Sequence, residues 1–397
     1  MPITFRTAEE GDWAAICHAD GRAFGVSYTP EMIDKTRPIH DVSRFELAFD
    51  GREIVGVVGA YSLQVTVPGG DRLPMGGLTW VSTAATHRRQ GVLTKLMART
   101  LADIDARGEP VAMLAASEGG IYERYGFGVA TQVRVTSLDR RLAQIRPEFQ
   151  PKRGTVRFVD GEAALAHVTA IWSGFHRLRS GEVDRTDAWH RFTCDHDASP
   201  QGSYGPAIYL AHREGYAIYR VEEQWNDGRP AHNMRVVELA ATTGDAHVAL
   251  WHTLLGIDLV GAIVSRQMPI DDPLPYLLTN PRVVQTTTLN DGIWVNVGDV
   301  AACLSGRRYA TSDRIVIEVD GSRWAIEGGP DTATCRKVRT RPDLTMDHAS
   351  VGALLLGGVR PSALAAGRRL DARSSEALRR ADAFFLTSPT PHCQTHY

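Results

Sequence analysis

Cysteine is scarce in this chain of 397 residues: Cys17, Cys194, Cys303, Cys335 and Cys393 are odd in number and far apart. Such spacing excludes a disulfide framework and fits a reducing, cytoplasmic setting. Long apolar runs are lacking as well. No stretch reaches the roughly 18 apolar residues of a membrane helix, and the opening MPITFRTAEEGDW has no apolar segment behind a basic one. Neither a membrane span nor a signal peptide is expected. There is no charge excess of either sign, since 44 Lys and Arg face 46 Asp and Glu for a net −2. A general nucleic-acid binder would carry a basic excess or stripe. The nearest approach, RRLDARSSEALRR from Arg368 to Arg380, is interleaved with Asp371 and Glu376 and reads as a solvated helix face.

What is present is the balance of a globular protein, 43% hydrophobic and 23% charged residues. At roughly 100 to 200 residues per domain the length implies two or three domains. The opening reads as a short strand, an acidic turn and a helix with Trp13, Ile16 and Phe24 on its apolar positions. FELAFDGREIVGVVGAYSLQVTV is then a pair of strands broken at the hairpin dipeptide Asp50-Gly51, and PGGDRLP makes the next turn. GLTWVSTAATHRRQGVLTKLMARTLADIDARG predicts a strand, a polar loop and a helix with Leu93, Leu96, Met97, Leu101 and Ile104 on one face. VAMLAAS predicts a buried strand parallel to its predecessor, and RVTSLDR a closing strand near residue 138. After RPEFQPKRG the strand-helix order restarts, as though a degenerate copy of the first unit followed without its loop chemistry. From about Asp291 a third unit of strands and helices ends in the exposed-looking tail SPTPHCQTHY.

The chemistry concentrates in one loop. Arg88, Arg89 and Gly91 follow an apolar strand and open a helix, where backbone N–H groups and the helix dipole bind phosphate. Glycine at 91 lets the backbone approach an anion closely. The strand before the loop carries Trp80-Val81-Ser82-Thr83, whose edge suits an extended, amide-bearing ligand such as the pantetheine arm of coenzyme A.

Arg88-Arg89-Gln90-Gly91-Val92-Leu93 between strand and helix resembles the GCN5-related N-acetyltransferases, with leucine where that superfamily commonly has glycine or alanine. Leucine there is similar to one narrower group, the enhanced intracellular survival (Eis) type acetyltransferases. QVTVPGG, GLTWVSTAATHRRQG, LAASEGGIYERYGFG, DPLPYLLT and DGIWVNV resemble the same family along essentially the whole chain. The resemblance implies an α+β protein: an acetyltransferase domain at 1–148, a second domain of the same fold lacking a working cofactor site at 149–288, and a sterol carrier protein-like α/β domain at 289–397. It implies acetyl-CoA as cosubstrate without a metal, an amine acceptor such as an aminoglycoside or a lysine side chain, and a hexamer. Val81 and Thr83 would bind pantetheine through their main chains beside Ser82, Arg88, Arg89, Gly91, Val92 and Leu93 would surround the pyrophosphate, and Ser117 would lie where the next strand splays away.

Attack of an amine on a thioester needs a proton donor near sulfur and an acceptor near nitrogen. Tyr122, after Gly119-Gly120, matches the family's catalytic tyrosine; a phenol of pKa about 10 is protonated at neutral pH. The acceptor in this family is the free carboxylate of the last residue, here Tyr397, as base or orienter. Phe24, Val26, Trp80 and His396 fall where substrate is bound. Aminoglycoside-modifying relatives carry acids at the positions of Val26 and His396, so two cation contacts are missing unless Asp20, Glu31 or Asp34 compensates.

Three other readings compete. Ala115-Ala116-Ser117-Glu118-Gly119 approximates a serine nucleophile elbow but lacks the long helix that follows one. His190, Cys194, Asp195 and His196 do not keep the paired spacing of zinc ligands. ALLLGGV, Ala353 to Val359, would line an apolar carrier pocket or, the preferred reading, form buried core.

Overall fold

The computed structural model describes residues 2–152, 154–198 and 202–395, the side chains of 195–198 excepted. The first sheet begins with β1 (Thr4–Thr7), β2 (Phe45–Asp50), β3 (Glu53–Thr66), β4 (Arg72–Thr83) and β5 (Val111–Ala115), side by side in that order. β2 and β3 meet at a tight hairpin, with Asp50 opposite Glu53 and Gly51 at φ +61°. Helices α1 (Trp13–Phe24) and α2 (Pro30–Thr36) precede β2, and α3 (Val92–Ala106) joins β4 to β5. β3 reads as a continuous apolar run because both its faces are covered. Val57 packs with Trp13, Ile16 and Phe45 on the α1 side, whereas Val58 and Ala60 pack with Leu96, Met97 and Ile104 of α3.

The second sheet repeats this plan. Val156–Val159, Ile208–His212, Gly215–Glu222, His232–Ala241 and Val260–Met268 lie in order, the last two parallel. Gly161–Phe175 covers one face and Gly244–Leu255 the other.

Each sheet is completed by a strand from beyond its own stretch of chain. Gln132–Asp139, expected to close the first unit, pairs instead with Val260–Met268 and Gln285–Asp291 in the second sheet. Ile293–Val297, expected in the third unit, pairs antiparallel with β5 and with Gly128–Val129 in the first. The exchange supplies an antiparallel partner to the outer parallel strand of each sheet, so its backbone groups stay bonded.

The third unit has a five-stranded sheet with helices Val300–Gly306, His348–Leu355, Pro361–Ala366 and Ser375–Phe385. Helix His348–Leu355 meets the first sheet backbone to backbone: a Cβ on Gly128 would lie 1.8 Å from the Ala349 carbonyl, and one on Gly352 would lie 2.0 Å from that of Val295. Leu354, Leu355 and Leu356 are buried in a core shared with Val65, Met75 and Val295, so ALLLGGV is largely core. Beneath it Arg307 is fully buried and donates to the carbonyls of Leu354, Leu355 and Phe385 at 2.8, 2.7 and 2.6 Å.

Candidate active site

β4 and β5 pair in parallel only from Met75–Gly77 to Val111–Met113. Beyond that point β5 stays with Ile293–Val297, and Leu78–Thr83 of β4 diverges, opening a wedge. A bulge sharpens the divergence. Val57 faces Ser82 but Gly59 faces Thr79, which leaves an extra residue in β4, and Trp80 there has φ +52°. A bulge leaves the extra residue's backbone groups out of the ladder.

A cleft of about 740 Å3 runs from this wedge to the start of α3. It brings together Val81, Ser82, Thr83, Arg88, Arg89, Gly91, Val92, Leu93 and Ser117, every residue expected around the cofactor, and adds Arg124. Gly91 is the N-cap of α3 at φ +78°, no side chain caps the helix, and a Cβ there would meet nothing within 4 Å. The first-turn N–H groups and the helix dipole therefore face an open mouth flanked by the exposed Arg88 and Arg89. Thr83 Oγ1 is buried in this wall without a partner among the described residues. An open backbone edge, orphaned polar groups and an unneutralised helix start fit a pantetheine arm leading to a pyrophosphate.

Tyr122 follows β5 in a turn that a short 3-10 helix, Glu123–Tyr125, closes, and no long helix follows Ser117. The exchanged strand steadies this turn, as Asn296 Nδ2 donates to the Tyr125 carbonyl at 2.7 Å. The Tyr122 ring is buried edge-on to Phe127, with centroids 6.2 Å apart. Burial pushes the phenol above its usual pKa, opposed by a hydrogen bond with Ser117 and assisted by the nearby Glu118 charge.

A second cavity of about 520 Å3 adjoins the first, and both are lined by Phe24, Val81, Ser117 and Tyr122. Val26 and Trp80 line it. Trp80 stacks on Tyr28 at 5.5 Å and lies 5.2 Å from Trp13, while the Tyr61 hydroxyl and His40 Nε2 are 3.0 Å apart. Of the three acids weighed as substitutes for the missing cation contacts, Asp20 lines this wall, whereas Tyr28, His40 and Tyr61 were not anticipated there. Nor were Trp189, Phe192 and Thr193, which reach it from helix Asp187–Ala198 beyond the first sheet. The aromatic pair at an i, i+3 spacing in WHRF was the one available hint. That segment's His190 is buried, and its pKa is pushed down to about 4 by burial and the Arg185 charge. Among the described residues no three His, Cys, Asp or Glu side chains are grouped to hold a metal; Asp195 and His196 lie outside the described side chains.

His396 and Tyr397 lie outside the described residues, but the segment leading to them is not the exposed tail expected. Pro391, His392, Cys393 and Thr395 are buried. The tail enters the wedge between His232–Ala241 and Val260–Met268: Gln394 Nε2 donates to the Leu239 carbonyl at 3.2 Å, the Leu239 N–H donates to Gln394 Oε1 at 3.4 Å, and His392 Nε2 meets the Gln267 carbonyl at 3.1 Å. The second wedge, equivalent to the one in the first sheet, is thus partly filled by the chain itself, which leaves a cavity of about 280 Å3 against about 740 Å3 in the first. At the adjoining helix Gly244–Leu255 the Thr243 hydroxyl accepts the Ala246 N–H at 3.2 Å and Asp245 occupies the first turn, which disfavours an anion.

Comparison with known proteins agrees. Residues 4–130 and 181–296 each match a family model described as an acetyltransferase (GNAT) domain, and 300–394 match a sterol carrier protein domain. Fold and site together define a GCN5-related N-acetyltransferase, a class that uses acetyl-CoA. The chain is 36% identical to the N-acetyltransferase Eis of Mycobacterium tuberculosis over 400 residues, 98% of each chain. It is 32% identical to an uncharacterized N-acetyltransferase of Streptomyces avermitilis over 406 residues, again 98% of each. The crystal structure of Eis1 from Mycobacterium abscessus matches with a TM-score of 0.88 and 31% identity over the whole of both chains. A GCN5-related N-acetyltransferase from Anabaena variabilis, at TM-score 0.85 and 16% identity, shares the fold. This chain belongs to the Eis family of N-acetyltransferases. Among the described residues no helix is long and apolar enough to cross a membrane.

Proposed function

We propose that the chain moves the acetyl group of acetyl-CoA directly to a primary amine in a ternary complex, with Tyr122 as general acid and the carboxylate of Tyr397 as base or orienter. The observation that carries this reading is the junction of two cavities at Phe24, Val81, Ser117 and Tyr122. A thioester whose arm lies along Val81–Thr83 and an amine entering past Trp80 meet there. As the amine nitrogen bonds to the acyl carbon, the carbon–sulfur bond breaks and the departing thiolate takes the Tyr122 proton. A phenol whose pKa burial has raised stays protonated until that moment. Backbone N–H groups freed by the β4 bulge are suited to the developing oxyanion.

The terminal carboxylate has an ordinary pKa of about 3.3 to 3.7, so orientation and the field of the site share its work. The tail is tied down as far as Thr395, which supports this reading of the residues that follow. The domain division at 1–148, 149–288 and 289–397 and a hexameric assembly form part of the same proposal, and mass photometry of the purified chain checks the latter.

The test is acetyl-CoA consumption across alkylamines, polyamines, aminoglycosides and lysine peptides, with Tyr122→Phe as control. That variant is expected to lose on the order of a hundredfold in kcat with acetyl-CoA affinity retained. A wild-type rate would remove Tyr122 from the donor role. A tag appended after Tyr397 should also impair turnover, and an undiminished rate would remove the terminal carboxylate.

A further inference from the structure

Helix α1 buries Trp13, Ile16, Cys17 and Gly21 against the sheet, and Asp20 sits on that same face at 5% exposure. A carboxylate at a core position is costly unless charge or hydrogen bonds compensate it. Here the compensation is slight. Tyr28 Oη donates to Oδ2 at a long 3.4 Å and the buried Ser82 hydroxyl reaches the same carboxylate, but Oδ1 has no partner among the described residues.

No described cation neutralises it. Arg22, two residues on, pairs with Glu53 at 3.4 Å, and Arg37 is engaged by Glu10. His40, in the wall of the same pocket, is held neutral because burial and the Arg37 charge push its pKa down to about 3. Cys17 and Tyr28 are both kept protonated by burial. Burial raises the Asp20 carboxyl to about 6, which still leaves it anionic above neutral pH. Glu31 and Asp34, the other acids of this region, are exposed, and Glu31 pairs with Lys35 at 3.1 Å.

Asp20 lines the acceptor cavity but not the cleft, whereas Tyr122 and Ser117 line both. The carboxylate is therefore set back from the junction where acyl transfer is proposed. A nitrogen held as an ammonium by a carboxylate has no free lone pair and cannot attack a thioester. The position suits a nitrogen that stays charged, in a pocket that Tyr28 and Trp80 also line.

We infer that Asp20 receives a second, non-reacting cation of the acceptor, so that favoured acceptors are primary amines bearing another cationic nitrogen, of which a short α,ω-diamine is the simplest. This rests on the amine-acetylating reading above. With Val26 at the rim in place of an acid, the selectivity for charge lies deep in the pocket.

The test compares 1,5-diaminopentane with 5-aminopentan-1-ol, which has the same reach and reacting amine but a neutral far end. At pH 8 and saturating acetyl-CoA the full chain should show a KM for the diamine at least tenfold lower than for the alcohol. In Asp20→Asn that preference should disappear, with acetyl-CoA binding by calorimetry reporting that the variant is folded. Equal KM values in the wild type, or a preference that survives Asp20→Asn, would overturn the inference. Should the variant not fold, the wild-type preference measured downward through pH 6 serves instead, since it should collapse as the carboxyl protonates, and a pH-independent preference would also overturn it. If neither amine is acetylated, the acetyltransferase reading itself has failed; calorimetric binding of the two amines to the acetyl-CoA complex then still reads the cation site.

Discussion

Arg185 Nε donates to the Thr395 hydroxyl at 3.0 Å, fixing the chain two residues short of its end. The same guanidinium pairs with Glu238 at 2.8 Å and lies 3.5 Å from the Trp172 ring centroid, so it is an immobile anchor. Beside it the Glu182 side chain accepts the Gln394 N–H at 3.0 Å, and the backbone of Glu182 and Gly181 is bonded to Thr66 of β3. The tail is thus referenced to the catalytic sheet. Thr395→Val removes the tie to Arg185 and Gln394→Ala removes the two side-chain bonds to the Leu239 backbone, while Arg185 and Glu238 stay paired and the Gln394 N–H still reaches Glu182. We expect kcat to fall roughly tenfold, about 1.4 kcal/mol of lost positioning, with the KM for acetyl-CoA unchanged. Single-substrate kinetics for both substrates checks this, and a fall in acetyl-CoA affinity would point to general destabilisation instead.

Local features were legible in the sequence and long-range ones were not. The stretch from Trp80 to Leu93 could be read because strand, left-handed glycine and helix start are adjacent and each is set by its own residues. The destinations of Gln132–Asp139 and Ile293–Val297 could not, because alternating apolar residues mark a strand without naming its partner. The buried tail was missed for a similar reason: SPTPHCQTHY looks exposed until the wedge that takes it, built from residues more than a hundred positions away, is present. Trp189 and Phe192 enter the acceptor wall only through the packing of the second unit on the first.

The opening of α3 carries the second prediction. Gly91 has space for a methyl group, so Gly91→Ala acts through its left-handed backbone, where an L side chain costs about 1 to 2 kcal/mol. The loop should relax away from the geometry that aims its N–H groups into the cleft. The KM for acetyl-CoA is expected to rise about tenfold, and Arg88→Gln with Arg89→Gln to raise it further while flattening its dependence on salt. A salt-insensitive wild-type KM would show that these two cations do not meet the pyrophosphate.

Gly352 tests the docking of the third unit. Its missing Cβ would lie 2.0 Å from the Val295 carbonyl, on the strand whose Asn296 steadies the Tyr122 turn. Because the obstructing atom is backbone, the helix has to move bodily, and Gly352→Ala should cost about 3 kcal/mol. A lower denaturation midpoint accompanied by a lower kcat is expected; an unchanged midpoint would mean that helix and strand separate without penalty.

Asp20 links stability to pH in the opposite sense from most carboxylates. Its folded pKa of about 6 lies above the ordinary 3.8, so between those values the folded chain binds more protons than the unfolded one and stability falls as pH rises. The loss is complete above pH 6 and absent below the ordinary carboxylate pKa. A rise of about two units corresponds to a cost on the order of 2 to 3 kcal/mol at pH 8. Asp20→Asn, which keeps the shape and removes the charge, should therefore raise the denaturation midpoint at pH 8 and leave it close to wild type at pH 4. A carboxylate with a purely structural role would give the reverse, a variant less stable at pH 8. Unfolding curves of the two proteins at both pH values decide between them, and a stabilised variant with weakened diamine binding would mean that the fold tolerates a buried charge for the sake of its substrate.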